Sequence, residues 1–210
     1  MIIEPNDRIL FTGDSITDSG RIRDQEYSLG LTGYPAFIAA RLQAYLASPE
    51  LKIFNRGIGG NRAKDLLGRI EPDLLALKPT VISILIGIND VWRRYDAAKD
   101  PTSAETFAQN YRAILEKISS ELDARVVLLE PFLLHVPEDR YTWREDLNPK
   151  IDVVRKLAVE FGAELIPLDG LFAKMATQAP AEYWAADGVH PTAAGHALIA
   201  EAWLENADLA

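Results

Sequence analysis

Ser15, Asp187 and His190 are the residues whose types and settings could together attack a carbonyl carbon. Ser15 follows a short apolar run, Arg8–Phe11, that Gly13-Asp14-Ser15 breaks. Its hydroxyl therefore falls just beyond the carboxyl end of a first strand, where open α/β sheets build their ligand sites. A serine hydroxyl is a weak nucleophile at neutral pH, so it needs a base, a group to orient that base, and donors for a developing oxyanion. Asp187 stands three residues before His190, and Pro191 follows. One short loop can thus present both side chains, the carboxylate accepting from one imidazole nitrogen and leaving the other for the serine proton. Each piece has a plainer use: Ser15 as a helix N-cap, Asp187 as a turn residue.

Two further stretches supply donors. Gly57-Ile58-Gly59-Gly60-Asn61 closes a second strand, where glycines let backbone N–H groups approach a ligand. No Lys-Ser/Thr pair follows, as a phosphate loop requires, and the spacing is not a dinucleotide fingerprint. Asn89, after Gly87-Ile88, offers a neutral amide donor at the end of a third strand, or else an Asx turn. His196 lies inside the final helical pattern and its spacing from His190 does not suit a zinc pair; His135 is a lone loop histidine. Both read as packing or surface residues.

The elements that must position these groups alternate along the chain. Strands are predicted at Arg8–Phe11, Lys52–Asn55, Val81–Ile86, Arg125–Leu129 and Glu164–Leu168. Helices are predicted at Tyr34–Leu46, Ala63–Leu77, Ser103–Leu122 and Leu147–Phe161, and a last one from Pro191. Thr102-x-x-Glu105 reads as a capping box. Strands separated by helices imply an α/β fold, a parallel sheet covered on both faces by right-handed crossovers. Val81–Ile86 is apolar except for Ser83, as a central strand is. Ser15–Gly33, Asn89–Thr102 and Phe132–Asp146 are expected as long functional or interfacial loops.

Composition narrows the partners. The 210 residues are 48% hydrophobic, which suits one domain over residues 1–210. A formal net charge of -9 argues against nucleic acid or an anionic membrane. There is no cysteine, so neither a thiolate nucleophile nor a thiolate metal site exists. No apolar stretch is long enough for a bilayer, and Met1–Asp7 lacks the pattern of a secretory signal, so a cytoplasmic location is expected.

Taken together, Gly13-Asp14-Ser15, Gly57-x-x-Gly60, Gly87-x-Asn89-Asp90 and Asp187-x-x-His190 resemble, in order, the four blocks of the SGNH hydrolases, also called the GDSL esterase family. The resemblance runs from Ile9 to the last helix, and Ile16 replaces the leucine of the family's nickname. It implies a flavodoxin-like three-layer α/β/α sandwich with a five-stranded parallel sheet of order 2-1-3-4-5. It also implies Ser15 as nucleophile, His190 as base and Asp187 as its partner, with Ser15 N–H, Gly60 N–H and the Asn89 side chain as the oxyanion hole. No Gly-x-Ser-x-Gly elbow is present, which sets the chain apart from the α/β-hydrolases.

A narrower likeness is to the intracellular acetylxylan esterases of that family. It is carried by Gly13–Asp18 with Gly20-Arg21, by Thr32-Gly33-Tyr34, by Gly87–Arg93 and by Val189-His190-Pro191 with Ala194-Gly195-His196. One departure is Ala186, where an aromatic often precedes the aspartate; Trp184 stands two residues earlier. The likeness implies hydrolysis of acetyl esters on xylo-oligosaccharides or other carbohydrates, without metal or organic cofactor, in a homo-oligomer. Trp92 and Trp184 are the expected sugar-facing aromatics. The alternatives are a lysophospholipase or thioesterase on longer acyl chains, a non-catalytic carbohydrate- or partner-binding protein, and a metal-dependent phosphohydrolase using Asp14, Asp18 and Asp90.

Overall fold

Alternation along the strands sets the layers. Ile9 and Phe11 face one side of the sheet and Leu10 the other, and both sides are fully buried. A computed structural model describes residues 1–97 and 99–209. Its main sheet contains β2 (Arg8–Gly13), β3 (Lys52–Gly57), β4 (Val81–Leu85), β5 (Arg125–Leu129) and β6 (Glu164–Ile166). All four pairings are parallel, in the order β3-β2-β4-β5-β6. A two-residue strand not expected from the sequence, β1 (Ile2–Ile3), pairs in parallel with β7 (Asp208–Leu209) and shifts the strand numbering by one.

One face of the sheet is covered by α2 (Tyr34–Leu46), α8 (Leu168–Met175) and α10 (Ala193–Glu205), against which the short α9 (Ala181–Trp184) packs. The other carries α3 (Ala63–Gly68), α4 (Ile70–Asp73), α6 (Ala104–Glu121) and most of α7 (Arg144–Phe161). Ser83, the polar residue of the central strand, is buried and accepts the Trp203 indole N–H at 3.2 Å. That bond removes the cost of a lone hydroxyl in the core. Among the described residues no helix is long and apolar enough to cross a membrane.

Several boundaries differ from expectation. The helix expected over Ala63–Leu77 is broken into α3, α4 and a 3-10 turn at Leu75–Leu77. Pro72 has no N–H for the Gly68 carbonyl and its ring crowds the preceding turn, so α3 stops at Gly68. Ser103, not Thr102, caps α6, its hydroxyl accepting Thr106 N–H at 3.1 Å. Thr192 caps α10 by accepting Gly195 N–H at 3.3 Å, so Pro191 lies outside the helix and bridges to Ala185 instead. The three expected loops are not irregular throughout. They contain α1 (Ser15–Asp18), α5 (Ile88–Tyr95) and a 3-10 segment at Glu138–Trp143.

Candidate active site

Three successive strand ends build one edge of the site. Beyond β2, the Asp14 carboxylate accepts Ile16 N–H at 3.0 Å and caps α1, whose first residue is Ser15. Beyond β3, the glycine turn passes Ser15 closely: a Cβ on Gly59 would lie 3.8 Å from the Ser15 Cβ. Gly59 N–H donates to Asp18 Oδ2 at 3.1 Å, which ties the turn to α1. Gly60 has φ +81°, a left-handed conformation that a side chain would strain. Beyond β4 comes α5, which carries Asn89 in its first turn. Asn89 Nδ2 donates to the Asn61 carbonyl at 3.1 Å, so the amide is held against the end of the glycine turn.

The fourth part arrives from the far end of the chain. Asp187 Oδ1 accepts the backbone N–H groups of Val189 at 3.0 Å and His190 at 2.7 Å. These bonds fold the loop back on itself and aim Oδ2 at the imidazole. The turn requires Gly188, with φ +80°, because a Cβ there would meet the Leu134 carbonyl oxygen at 2.3 Å. His190 Nδ1 lies 2.8 Å from Asp187 Oδ2, and its Nε2 lies 2.9 Å from Ser15 Oγ. With the ring proton on Nδ1, Nε2 is free to accept from the serine hydroxyl.

The electrostatics match that chain of bonds. The Asp187 carboxylate loses hydration by burial, yet hydrogen bonds from the His190 ring and from the His190 and Val189 backbone hold it well below the usual range. The hydrogen bond to Asp187 raises His190 above the ordinary histidine value, and burial opposes it. Asp14 is fully buried, and desolvation pushes it up to about 7; His190 and Asp90 are the charged groups that act on it. Asp90, also desolvated, is pushed up to about 6 and accepts Ala63 N–H at 3.0 Å.

Ser15, His190 and Asp187 are thus in direct contact, with Gly60 and Asn89 on the adjoining turn and helix. Trp92 joins them, its ring centroid 5.9 Å from that of His190. Among the described residues Trp184 makes its ring contact with Tyr183, edge-on, and not with His190, and its buried Nε1 has no acceptor. His196 is a packing residue: its Nδ1 accepts Tyr34 N–H at 3.2 Å, and burial lowers it to about 4. His135 is exposed and accepts from Arg144 Nε at 3.3 Å. Asp14, Asp18 and Asp90 do not form a metal cage. Each accepts a different backbone N–H, and among the described residues no group of three or more His, Asp or Glu side chains could hold a metal ion.

The supporting contacts of Asn61, Asp90 and Arg140 were not foreseen from sequence, because all of them depend on long-range packing. The Asp90 signal was present in Gly87-x-Asn89-Asp90, but only its bond to Ala63 shows what it does. The Arg140 guanidinium carbon lies 4.4 Å from the ring centroid of Trp92 and 3.9 Å from that of Trp143.

A three-layer α/β/α sandwich with Ser, His and Asp in contact at the carboxyl edge of its sheet defines a serine hydrolase class. The chain belongs to the GDSL-like lipase/acylhydrolase family, whose model matches residues 11–198, and it is a carboxylic ester hydrolase. It is 36% identical to an acetylxylan esterase from Geobacillus stearothermophilus, over 97% of this chain and 95% of that one. A crystal structure of a GDSL-like lipase from Parabacteroides merdae superposes with a TM-score of 0.89 at 37% identity, covering 95% of this chain and 94% of the other. A catalytic mutant of the Geobacillus esterase, with a serine replaced by alanine, superposes at 0.88 and 31% identity, covering 98% and 95%. Two more of its catalytic mutants replace a histidine or an aspartate.

Proposed function

We propose that this chain removes acetyl groups from the hydroxyls of xylo-oligosaccharides or related carbohydrates, with Ser15, His190 and Asp187 as its triad. The observation that carries this is the unbroken run of contacts, 2.9 Å from Ser15 Oγ to His190 Nε2 and 2.8 Å from Nδ1 to Asp187. Ser15 Oγ attacks the ester carbonyl while Nε2 takes its proton. The oxyanion is held by the N–H groups of Ser15 and Gly60 and by Asn89 Nδ2. Collapse expels the sugar oxygen, which takes the proton from His190 and leaves Ser15 acetylated. Water then gives a proton to His190, attacks the acetyl-enzyme and releases acetate, restoring Ser15. Asp187 stays ionised throughout and holds the imidazolium.

The acetyl and carbohydrate specificity is supported by the Geobacillus relative, an acetylxylan esterase. It is also supported by the segments around the site, which carry Trp92, Tyr95, Tyr141 and Trp143 among many charged residues rather than an apolar channel. Trp92 and Trp184 are the aromatics assigned to the sugar. The same reading takes residues 1–210 as one domain of a cytoplasmic homo-oligomer, with loops of a neighbouring copy near the active-site mouth. Hydrolysis of acetate, butyrate and octanoate esters of one leaving group tests the acyl limit, with light scattering for assembly. Rates should fall steeply beyond propionate; equal or better rates on octanoate would make the chain a lipid or thioester acylhydrolase instead.

A further inference from the structure

Arginines near the site are mostly neutralised. Arg62, Arg93 and Arg94 pair with Asp100, Asp96 and Asp146. Arg140 is different. Among the described residues its side chain is found in no ion pair and no hydrogen bond, although Glu138 and Asp139 are its neighbours in the same 3-10 segment. Its guanidinium is held instead by Trp92 and Trp143, and its Nε is buried without an acceptor. Cation–π contact fixes where the charge sits and which way its plane faces, but it satisfies none of the N–H donors.

The unmatched charge lies close enough to the reacting histidine to act on it. Trp92 contacts both the Arg140 guanidinium and the His190 ring. Asp187 foremost, and Asp14, favour protonation of His190; Arg140 opposes it more weakly, and the reaction makes His190 an imidazolium. An anion seated on the guanidinium's Nη donors would weaken that opposition while supplying acceptors to them. A planar, immobilised guanidinium presents parallel N–H donors, the pattern that a carboxylate accepts in bidentate fashion. The chain's net charge of -9 repels acidic molecules at long range, so an acidic substrate needs a dedicated cation.

We propose that Arg140 receives a carboxylate on the alcohol part of the ester, making an acetylated, uronate-bearing oligosaccharide the preferred substrate class. This rests on the acetylesterase function proposed above, where the acyl group is too small to carry the charge itself. Trp92 and Trp143 then act as the platform that orients the guanidinium, and Trp92 also borders the reacting centre.

The test compares acetate release from an acetylated xylo-oligosaccharide bearing a glucuronate branch with release from the same compound after reduction of that carboxylate to an alcohol. Wild-type kcat/KM should favour the acidic compound by about tenfold, the low end of what hydrogen bonds to a charged group contribute. The preference should shrink as salt is raised. In Arg140→Gln the ratio should fall to near one; in Arg140→Lys, which keeps charge but not the fork, it should be intermediate. Melting temperatures check that both variants fold, and if Arg140→Gln does not, the ratio measured in Arg140→Lys decides between the outcomes. A wild-type ratio near one, or a ratio that Arg140→Lys and Arg140→Gln leave unchanged, overturns the role of Arg140 alone. Acetate release from neither compound, by protein that still cleaves 4-nitrophenyl acetate, overturns the carbohydrate function and this inference with it.

Discussion

The buried carboxylate of Asp90 accepts the backbone N–H of Ala63 at 3.0 Å, joining the helix that follows the glycine turn to the helix that carries Asn89. The two proposed oxyanion donors, Gly60 on the turn after β3 and Asn89 on the helix after β4, are therefore tied together by one side chain. Asp90→Ala strands a buried N–H and should cost about 1–3 kcal/mol of stability. It should lower kcat by roughly tenfold or more with little change in KM, because misplaced donors weaken the transition state most. Asp90→Asn keeps an acceptor and sheds the desolvation that raises Asp90, so it should be milder in both. Denaturant midpoints and steady-state kinetics measure the two effects.

Ser15→Ala should fold normally, since Asp14 and not Ser15 caps α1, and should lose about four orders of magnitude or more in turnover. A serine-directed organophosphonate should add to the peptide containing Ser15 and to no other. Mass spectrometry of the labelled protein reads this directly, and an active Ser15→Ala protein would remove the mechanism.

Asn89→Ala should lower the acylation rate by about a hundred- to a thousandfold, as loss of one such donor does elsewhere. The Asn61 carbonyl loses its partner, so a small loss of stability is expected as well. Pre-steady-state acylation separates the rate effect from substrate affinity. A defect confined to KM would make Asn89 a substrate-holding residue.

Activity should depend on a deprotonated His190. The hydrogen bond to Asp187 raises His190, so the acid limb of kcat/KM should lie above the free histidine value of 6.5. Asp187→Asn removes the largest raising influence and should move the limb to lower pH while cutting kcat by about 10⁴-fold. Asp14→Asn removes a smaller one and should move the limb in the same direction. Profiles of kcat/KM against pH for the three proteins decide it; a limb unmoved in Asp187→Asn would assign the titration to another group.

Stability should fall with rising pH because of Asp14. Its carboxyl titrates near 3.8 when unfolded and at about 7 when folded. Between those values the folded chain holds a proton that the unfolded chain has released, so stability present below about pH 4 is lost as pH rises to 7. Over that range the loss is on the order of 4 kcal/mol. Asp90 acts in the same sense up to about 6. Asp14→Asn should flatten the dependence of unfolding free energy on pH between 4 and 7, measured by urea titration at several pH values.

Much of this molecule was legible in its sequence. The apolar runs marked the five main strands, most plainly β4, because a strand buried on both faces has no polar alternation to hide it. The cluster of Ser15, Gly60, Asn89, Asp187 and His190 could be named because each falls just after a strand or just before the last helix. Local sequence was less informative where a neighbour decides the outcome. Thr102 and Ser103 are both competent caps, and only the path of the chain into α6 selects Ser103. The β1–β7 pair joins residues from opposite ends of the chain, so no local pattern announces it.

Residue types determined which chemistry was open to this protein, since nucleophile, base, orienter and donors are properties of side chains. Tertiary structure decided their mutual distances. The contact between Ser15 and His190 spans 175 positions, and that between Asp90 and Ala63 spans 27, so both exist only once the sheet has brought its strand ends to one edge. It also decided which charges remain unmatched. Arg140 looks like any other loop arginine in sequence; in the folded chain its guanidinium lies against the edge-to-face pair Trp92 and Trp143, and among the described residues no carboxylate pairs with it. Pairing of charges depends on separation in space, which sequence spacing does not specify beyond a helical turn or a tight loop.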